Sequence, residues 1–91
     1  MKARFTLGRV VATPAALTLL KEAQVAPVTL LGRHVTGDWG TLDAEDVRAN
    51  EEALTDEARL LSSYPVKGDE KIWIITEADR SVTTILTPGC Y

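Results

Sequence analysis

Residues 60–88, LLSSYPVKGDEKIWIITEADRSVTTILTP, decide the fold because they hold three successive β-forming runs. The runs LLSSYPV, KIWIITEA and DRSVTTILTP are rich in branched and aromatic residues, and short polar turns separate them. Runs joined by so few residues pair most simply as antiparallel hairpins. The stretch therefore predicts a three-stranded antiparallel meander.

The residues before this meander predict one strand and three short helices. Residues 4–12 are β-rich and place Phe5, Leu7 and Val11 on one face of a strand. Pro14 and Pro27 each occupy a favoured first position of a helix. A strand, three helices and three strands in this order predict an α+β fold with one mixed or antiparallel sheet.

The third helix has the clearest start signal. Asp43 is a good N-cap, and Leu42 and Val47 stand where a hydrophobic staple needs them. Asn50 lies in the apolar stripe that follows, and a buried amide must find partners. We expect its amide to bond the backbone of the GDWG segment, residues 37–40. The stripe is expected to hold Val47, Leu54, Ala58 and Leu61.

Length and composition predict one soluble domain over residues 1–91, with 45% hydrophobic and 25% charged residues. The single cysteine, Cys90, forms no internal disulfide, which fits a reducing cytoplasm. No apolar run approaches the roughly 20 residues of a membrane span, and Arg9 interrupts the N-terminal apolar stretch that would serve for export. No metal-ligand spacing or cofactor motif is present, so we expect no metal and no cofactor.

Charge is distributed unevenly along the chain. Residues 1–37 hold five basic residues and one acidic residue, a net charge of +4, whereas residues 38–59 hold eight acids and two arginines, a net charge of −6. The acidic middle and a pI near 5.0 disfavour a nucleic-acid partner, because phosphate binding needs clustered positive charge. An acidic helix instead suits a basic protein partner.

RHVTGDWGTLDAED (33–46), Asn50, LLSSY (60–64) and IWIITEADRSVTTILTP (72–88) resemble a small uncharacterised bacterial family. Its members are often labelled "plasmid-related protein" or "type I restriction endonuclease subunit M", and the resemblance runs from about Leu7 to Tyr91. It implies a context of plasmids, phages or integrated elements. The methyltransferase label does not suit this chain, which has neither a glycine-rich cofactor turn nor the length for that fold.

The GDWG segment is expected to be chiefly a junction between helices, with Trp39 covering the edge of the core. The alternative reading makes it the floor of a ligand pocket, with Arg33, Asp38, Trp39 and Asn50 as binding residues. His34, the only histidine, is expected to pack at a helix end; as an alternative it could act as a general base.

Two classes of function are consistent with the sequence. The first is a cytoplasmic, non-enzymatic accessory protein of mobile elements that acts through protein contacts, including acidic mimicry of DNA or an anti-defence role. The alternative is a small ribonuclease, because the predicted element order looks like that of ribosome-dependent toxin nucleases. Its candidate groups are His34 or Glu77 as base, Arg80 or Arg33 as phosphate clamp, and Tyr64 as helper. A homodimer through the edge strand 4–12 is compatible with the first class.

Overall fold

The computed structural model describes residues 2–90 and has the α+β order that the sequence predicts. Met1 and Tyr91, the last residue of the stretch that carries the family resemblance, lie outside the described residues. The elements are β1 (Arg9–Ala12), α1 (Pro14–Ala23), α2 (Pro27–Val35), α3 (Ala44–Asp56), β2 (Leu60–Lys67), β3 (Glu70–Thr76), β4 (Val82–Leu86) and a 3₁₀ turn (Pro88–Cys90). Within residues 2–90 no helix is long and apolar enough to cross a membrane.

The four strands form one sheet in the order β1-β4-β3-β2. β2, β3 and β4 pair antiparallel as the predicted meander, whereas β1 pairs parallel with β4. The sheet is therefore mixed, and a layer in which all four strands are antiparallel is excluded.

The helices cover one face of this sheet and build the main core. Because side chains alternate across a strand, every second residue of the meander points toward the helices. The core side chains are buried and come from both layers: Ala16, Leu19, Leu20, Leu30, Tyr64, Ile72, Ile74 and Ile85. A second cluster, with Trp39, Ala53 and Leu60 at its centre, joins α3 to the start of β2.

The first strand is shorter than the sequence predicts. It begins at Arg9 because Gly8 has a φ of +64°, which turns the chain, and a Cβ at Gly8 would lie 2.4 Å from the carbonyl oxygen of Arg80. Phe5 therefore leaves the expected strand face and packs against the Trp39 cluster, while Val11 remains 36% exposed. The expectation of one strand over residues 4–12 is wrong, and pairing of this edge with a second copy stays a prediction.

Helix α3 starts as expected and ends earlier. The Asp43 carboxylate accepts a hydrogen bond from the amide of Asp46 at 2.8 Å, which is the predicted N-cap. The helix ends at Asp56 because Glu57 is left-handed, with φ +54°. The predicted apolar stripe therefore does not extend to Ala58 and Leu61, and the buried helical residues are Asn50 and Ala53.

The outer edge of β2 is closed by side-chain and backbone groups. Asn50 accepts a hydrogen bond from the amide of Leu61 (3.0 Å) and donates one to the carbonyl of the same residue (2.6 Å). Two residues further, the amide of Ser63 donates to the carbonyl of Trp39 (3.0 Å), and the carbonyl of Ser63 accepts from the amide of Thr41 (2.8 Å). Every second residue of β2 turns its backbone groups to this edge, and the next one after Ser63 is Pro65. As a proline it has no N–H that would need a partner there.

The expected hydrogen-bond partner of Asn50 is wrong. Its amide does not bond the GDWG backbone; it caps the β2 edge at Leu61, and the backbone of Trp39 and Thr41 caps the next two edge groups, at Ser63. Open strand edges invite pairing with other chains, so the two devices protect this one.

Close approach of the GDWG segment to β2 predicts that Gly40→Ala is strongly destabilising. Gly40 has a φ of +80°, and a Cβ there would lie 1.9 Å from the carbonyl oxygen of Ser63. We expect a loss of about 3 kcal/mol or more in the free energy of unfolding, measured in urea. Gly32→Ala is the matched control: Gly32 is helical with open space around it, so alanine should stabilise by up to about 1 kcal/mol. Equal effects of the two changes would contradict the packing.

The double hydrogen bond of Asn50 predicts that the near-isosteric Asn50→Asp keeps one bond and replaces the other by a repulsive contact between two acceptors. The carboxylate keeps the amide of Leu61 but faces the carbonyl of Leu61 without a proton. We expect a loss of about 2–3 kcal/mol at pH 7, relative to about 0.7 kcal/mol for Ala49→Asp on the exposed side of α3. The deficit relative to wild type should shrink at acidic pH, where a protonated carboxyl can donate. A deficit independent of pH would contradict this account.

Candidate functional site

His34 is completely buried, and both of its ring nitrogens are hydrogen-bonded. It lies in the last turn of α2 and faces the sheet. Nδ1 lies 2.5 Å from Ser62 Oγ on β2, and Nε2 lies 2.9 Å from Thr76 Oγ1 on β3. The hydroxyls of Thr76 and Thr83 are 2.7 Å apart, and Thr83 donates to the carbonyl of Leu7 at 2.7 Å.

The hydrogen bonds run in series from Ser62 through His34, Thr76 and Thr83 to the carbonyl of Leu7. This final carbonyl fixes the direction of every hydrogen bond in the series. A carbonyl only accepts, so the single hydroxyl proton of Thr83 points to Leu7. Thr83 therefore accepts from Thr76, Thr76 accepts from His34 Nε2–H, and His34 Nδ1 accepts from Ser62. The geometry thus selects the neutral Nε2–H tautomer of His34.

Burial lowers the pKa of His34 to about 4, because the charged ring would lose its hydration. The imidazole is neutral at pH 7 and has no nitrogen facing solvent. In this arrangement His34 fastens α2 to β2 and β3, and with Thr83 it reaches the segment before β1.

Trp39 is buried at the centre of an aromatic cluster that sequence reasoning only partly identified. Phe5 stacks on Trp39 with ring centroids 6.1 Å apart and lies perpendicular to the His34 ring, with centroids 5.1 Å apart. The Trp39 indole donates to Glu51 on α3 at 2.9 Å, and Arg4 binds the same carboxylate through two nitrogens. The sequence predicts Phe5 on a strand face, and the signal that separates it from β1 is Gly8, where the chain turns.

Arg33, Asp38 and Tyr64 form a second contact group at the end of α2. Arg33 binds the Asp38 carboxylate (2.7 Å), and its guanidinium lies 4.4 Å from the Tyr64 ring centroid. The Tyr64 hydroxyl donates to the carbonyl of Asp38 at 2.6 Å. The pair with Arg33 lowers the pKa of Asp38, and burial raises the pKa of Tyr64 to about 12. Tyr64 is therefore a neutral hydrogen-bond donor that fixes the turn.

Arg80 closes the C-terminal end of α3. Its guanidinium donates to the carbonyls of Ala53 (2.9 Å) and Ala58 (2.6 Å), and to the carbonyls of Glu77 and Ala78 in its own turn. A positive charge is favourable at the carbonyl end of a helix. Glu77, in the same turn, forms an ion pair with Arg59 at 3.4 Å.

The structure brings His34 and Trp39 together with Phe5 and places Arg80 at the rim of the same cluster, 5.9 Å from the Phe5 centroid. Asn50 faces the edge of β2, and Glu77 lies at the turn beyond β3. The His34 and Trp39 rings pack directly against each other, with centroids 5.8 Å apart. Among residues 2–90 no cluster of three or more metal-ligating side chains occurs.

Two surface features remain outside these packed groups. The solvent face of α3 carries exposed carboxylates. A cavity of about 740 Å³ opens where α1, the β2–β3 turn and the residues after β4 meet, and α3 contributes no residue to it.

The buried neutral His34 predicts a loss of stability in acid with a defined window. Between pH 6.5 and 4 the unfolded chain binds a proton at His34 that the folded protein does not, so stability falls as pH falls through this range. Urea unfolding at pH 7.5 and 4.5 should show wild type losing about 2–3 kcal/mol more than the non-titrating His34→Gln protein. Long-range ¹H–¹⁵N spectra should show the Nε2–H tautomer. Identical losses in both proteins would contradict the lowered pKa of His34, and the Nδ1–H tautomer would contradict the proton order.

Comparisons of the chain with protein-family models, with curated proteins and with solved structures give no match. The roles assigned above to His34, Trp39, Asn50 and Arg80 rest on their contacts in this chain.

Proposed function

We propose that this chain is a non-enzymatic, cytoplasmic accessory protein of a mobile genetic element and that it binds a basic partner protein through the solvent face of α3. The observation that carries the proposal is the set of exposed carboxylates on that face. In a narrower form, these acids occupy the phosphate-binding surface of a nuclease or regulator, which would give an anti-defence role.

The acids of α3 form a stripe opposite its buried side. Successive residues of a helix are rotated by about 100°, so Glu45, Glu52 and Asp56 project from the side facing away from Asn50 and Leu54, which pack toward the sheet. Spacings of seven and four residues place these carboxylates about 10 and 6 Å apart along the axis. All three are exposed, and Arg48 flanks the stripe.

Within residues 2–90 the acidic stripe takes part in no salt bridge. The ion pairs there join Arg4 to Glu51, Arg33 to Asp38, and Arg59 to Glu77. The stripe carboxylates therefore keep their charge available for a partner. Clustered charge of one sign accelerates encounter with a complementary surface and makes binding sensitive to salt.

A binding role accounts for the candidate catalytic groups better than the ribonuclease alternative does. Proton transfer needs a base within reach of the substrate. His34 has no exposed nitrogen, Tyr64 donates to a backbone carbonyl, and Arg80 is held by carbonyls at the end of α3. These contacts support a structural role for His34, Tyr64 and Arg80.

The acidic stripe predicts partner capture that depends on charge. Tagged wild type should retain a basic protein from the cytosol of its source cell at about 50 mM salt and release it at about 500 mM. Glu45→Gln/Glu52→Gln/Asp56→Asn should lose this partner by about tenfold or more, because three carboxylates become neutral. The matched control, Glu45→Asp/Glu52→Asp/Asp56→Glu, keeps every charge and should retain the partner. Equal capture by the neutral variant, or capture that survives high salt, would overturn the proposal.

A direct assay separates the ribonuclease alternative. Purified protein is incubated with RNA, with and without ribosomes, beside the Glu77→Gln variant. The binding proposal expects no cleavage above background in either sample. Cleavage by wild type that Glu77→Gln abolishes would replace the binding role by catalysis.

A further inference from the structure

The edge of the sheet at β1 is open, in contrast to the closed edge at β2. β1 stands at one end of the strand order, so within residues 2–90 no strand lies beyond it. Its two central side chains, Val10 and Val11, are 42% and 36% exposed. We propose that β1 pairs antiparallel with β1 of a second copy of this chain and joins two four-stranded sheets into one. The inference is independent of the partner proposed for α3.

The hydrogen bonds between β1 and β4 show which backbone groups point to the open edge. The amides of Arg9 and Thr13 each donate, at 2.9 Å, to a carbonyl on the β4 side. Because backbone groups of successive strand residues point to opposite edges, the N–H and C=O groups of Val10 and Ala12 point away from β4. In the described part of the chain, no backbone hydrogen bond outside the sheet ladder involves either residue. Each copy therefore offers two donors and two acceptors at this edge.

The spacing of these groups selects one register, with Val11 opposite Val11 of the second copy. In an antiparallel pair, two residues that form a hydrogen-bonded pair exchange two N–H···O bonds. A two-fold axis at Val11 places Val10 of each copy opposite Ala12 of the other, so two such pairs satisfy every outward group with four hydrogen bonds. A two-fold axis at Val10 would place Ala12 opposite Gly8, which lies before β1 and has a φ of +64°. That register would leave the backbone groups of Ala12 without partners.

The side chains of β1 are complementary to a second copy in the register centred on Val11. Val11 lies beside Thr84 on the sheet face away from the helices, and across the axis it meets the valine of the second copy as a non-hydrogen-bonded pair, in which side chains are closest. Arg9 lies opposite Thr13 of the second copy and four residues, or about 13 Å, along the strand from the other Arg9. This distance exceeds the Debye length of about 8 Å at physiological ionic strength, so the like charges are screened. An isologous interface requires such a self-complementary surface.

A second copy suits this edge better than an extended segment of another protein does. β1 has four residues, and Pro14 begins α1 two residues after its end, so only a short strand can pair here. A foreign strand gains specificity from pockets beside the edge that receive its alternate side chains. The cavity of about 740 Å³ has no residue of β1 in its wall. The second copy supplies a strand of the same length whose outward groups match one for one.

Disulfide cross-linking of single-cysteine variants tests both the pairing and its register. Each variant also carries Cys90→Ser, which removes the only native cysteine. Val11→Cys should form a covalent dimer under mild oxidation, because opposed Cα atoms of a non-hydrogen-bonded pair lie about 4.5 Å apart, within reach of a disulfide. Val10→Cys faces its own copy only diagonally, at about 7–8 Å, and Val28→Cys, 72% exposed on α2, measures random collision. We expect Val11→Cys to react at least about tenfold faster than either control.

Sedimentation velocity tests the pairing without a cross-link. Wild type should be a reversible dimer with a Kd of about 100 µM, since two short strands meet over a small interface. Val10→Pro removes an outward N–H that β4 does not use, so it should weaken the dimer at least about tenfold and leave the ladder intact. Val11→Lys should have the same effect because it places two ammonium groups at the axis, whereas Val28→Lys should leave the Kd unchanged. Circular dichroism checks that all three variants remain folded.

The outcomes that overturn the inference are specific. Wild type that stays monomeric at about 1 mM, or Val11→Cys that reacts no faster than Val28→Cys, would show that β1 does not pair with its copy. Faster reaction of Val10→Cys than of Val11→Cys would contradict the register. A monomer that adds a foreign extended peptide at this edge would assign the edge to another protein. The neutral α3 variant leaves β1 unchanged and should dimerise as wild type does, so failure here and failure of the α3 proposal can be distinguished.

Discussion

The fold depends on the closure of one sheet edge. A single amide, Asn50, takes both backbone groups of Leu61, and the Trp39–Thr41 backbone takes both backbone groups of Ser63. Four outward polar groups of β2 are thereby satisfied without another strand. This arrangement fixes α3 and the GDWG segment on the sheet at the same time, because each contributes half of the closure.

The positions of the buried polar groups follow from the way α3 and the GDWG segment are fixed on the sheet. Once α2 and the GDWG segment are anchored, His34 faces Ser62 and Thr76, and the chain of hydroxyls ends at the Leu7 carbonyl. No buried side-chain polar atom among residues 2–90 lacks a hydrogen-bond partner. A fully satisfied polar network rigidifies a core and specifies one arrangement of its elements. Residues that could form a catalytic site from sequence alone are thus used to hold helices to the sheet.

Local signals in the sequence were sufficient for the parts of the fold that depend on neighbours in the chain. Pro14 begins α1 and Asp43 caps α3 as predicted, and the meander forms from β runs separated by short turns. Contacts between distant residues could not be predicted. Three such contacts depend on how the completed helices and strands pack together. They are the parallel pairing of β1 with β4, the hydrogen bonds between Asn50 and Leu61, and the capping of α3 by Arg80. The residue pattern within one helix or strand does not show which other element it will pack against.

The same distinction applies to the surface of the protein. The acids of α3 are close in sequence, so their stripe is predictable once the helix is recognised. Glu45, Glu52 and Asp56 take no part in the hydrogen bonds that join His34, Thr76 and Thr83, so their charge can change without disturbing that internal network. Under the proposed binding role, the buried polar residues hold the elements together and the exposed carboxylates of α3 attract a basic partner.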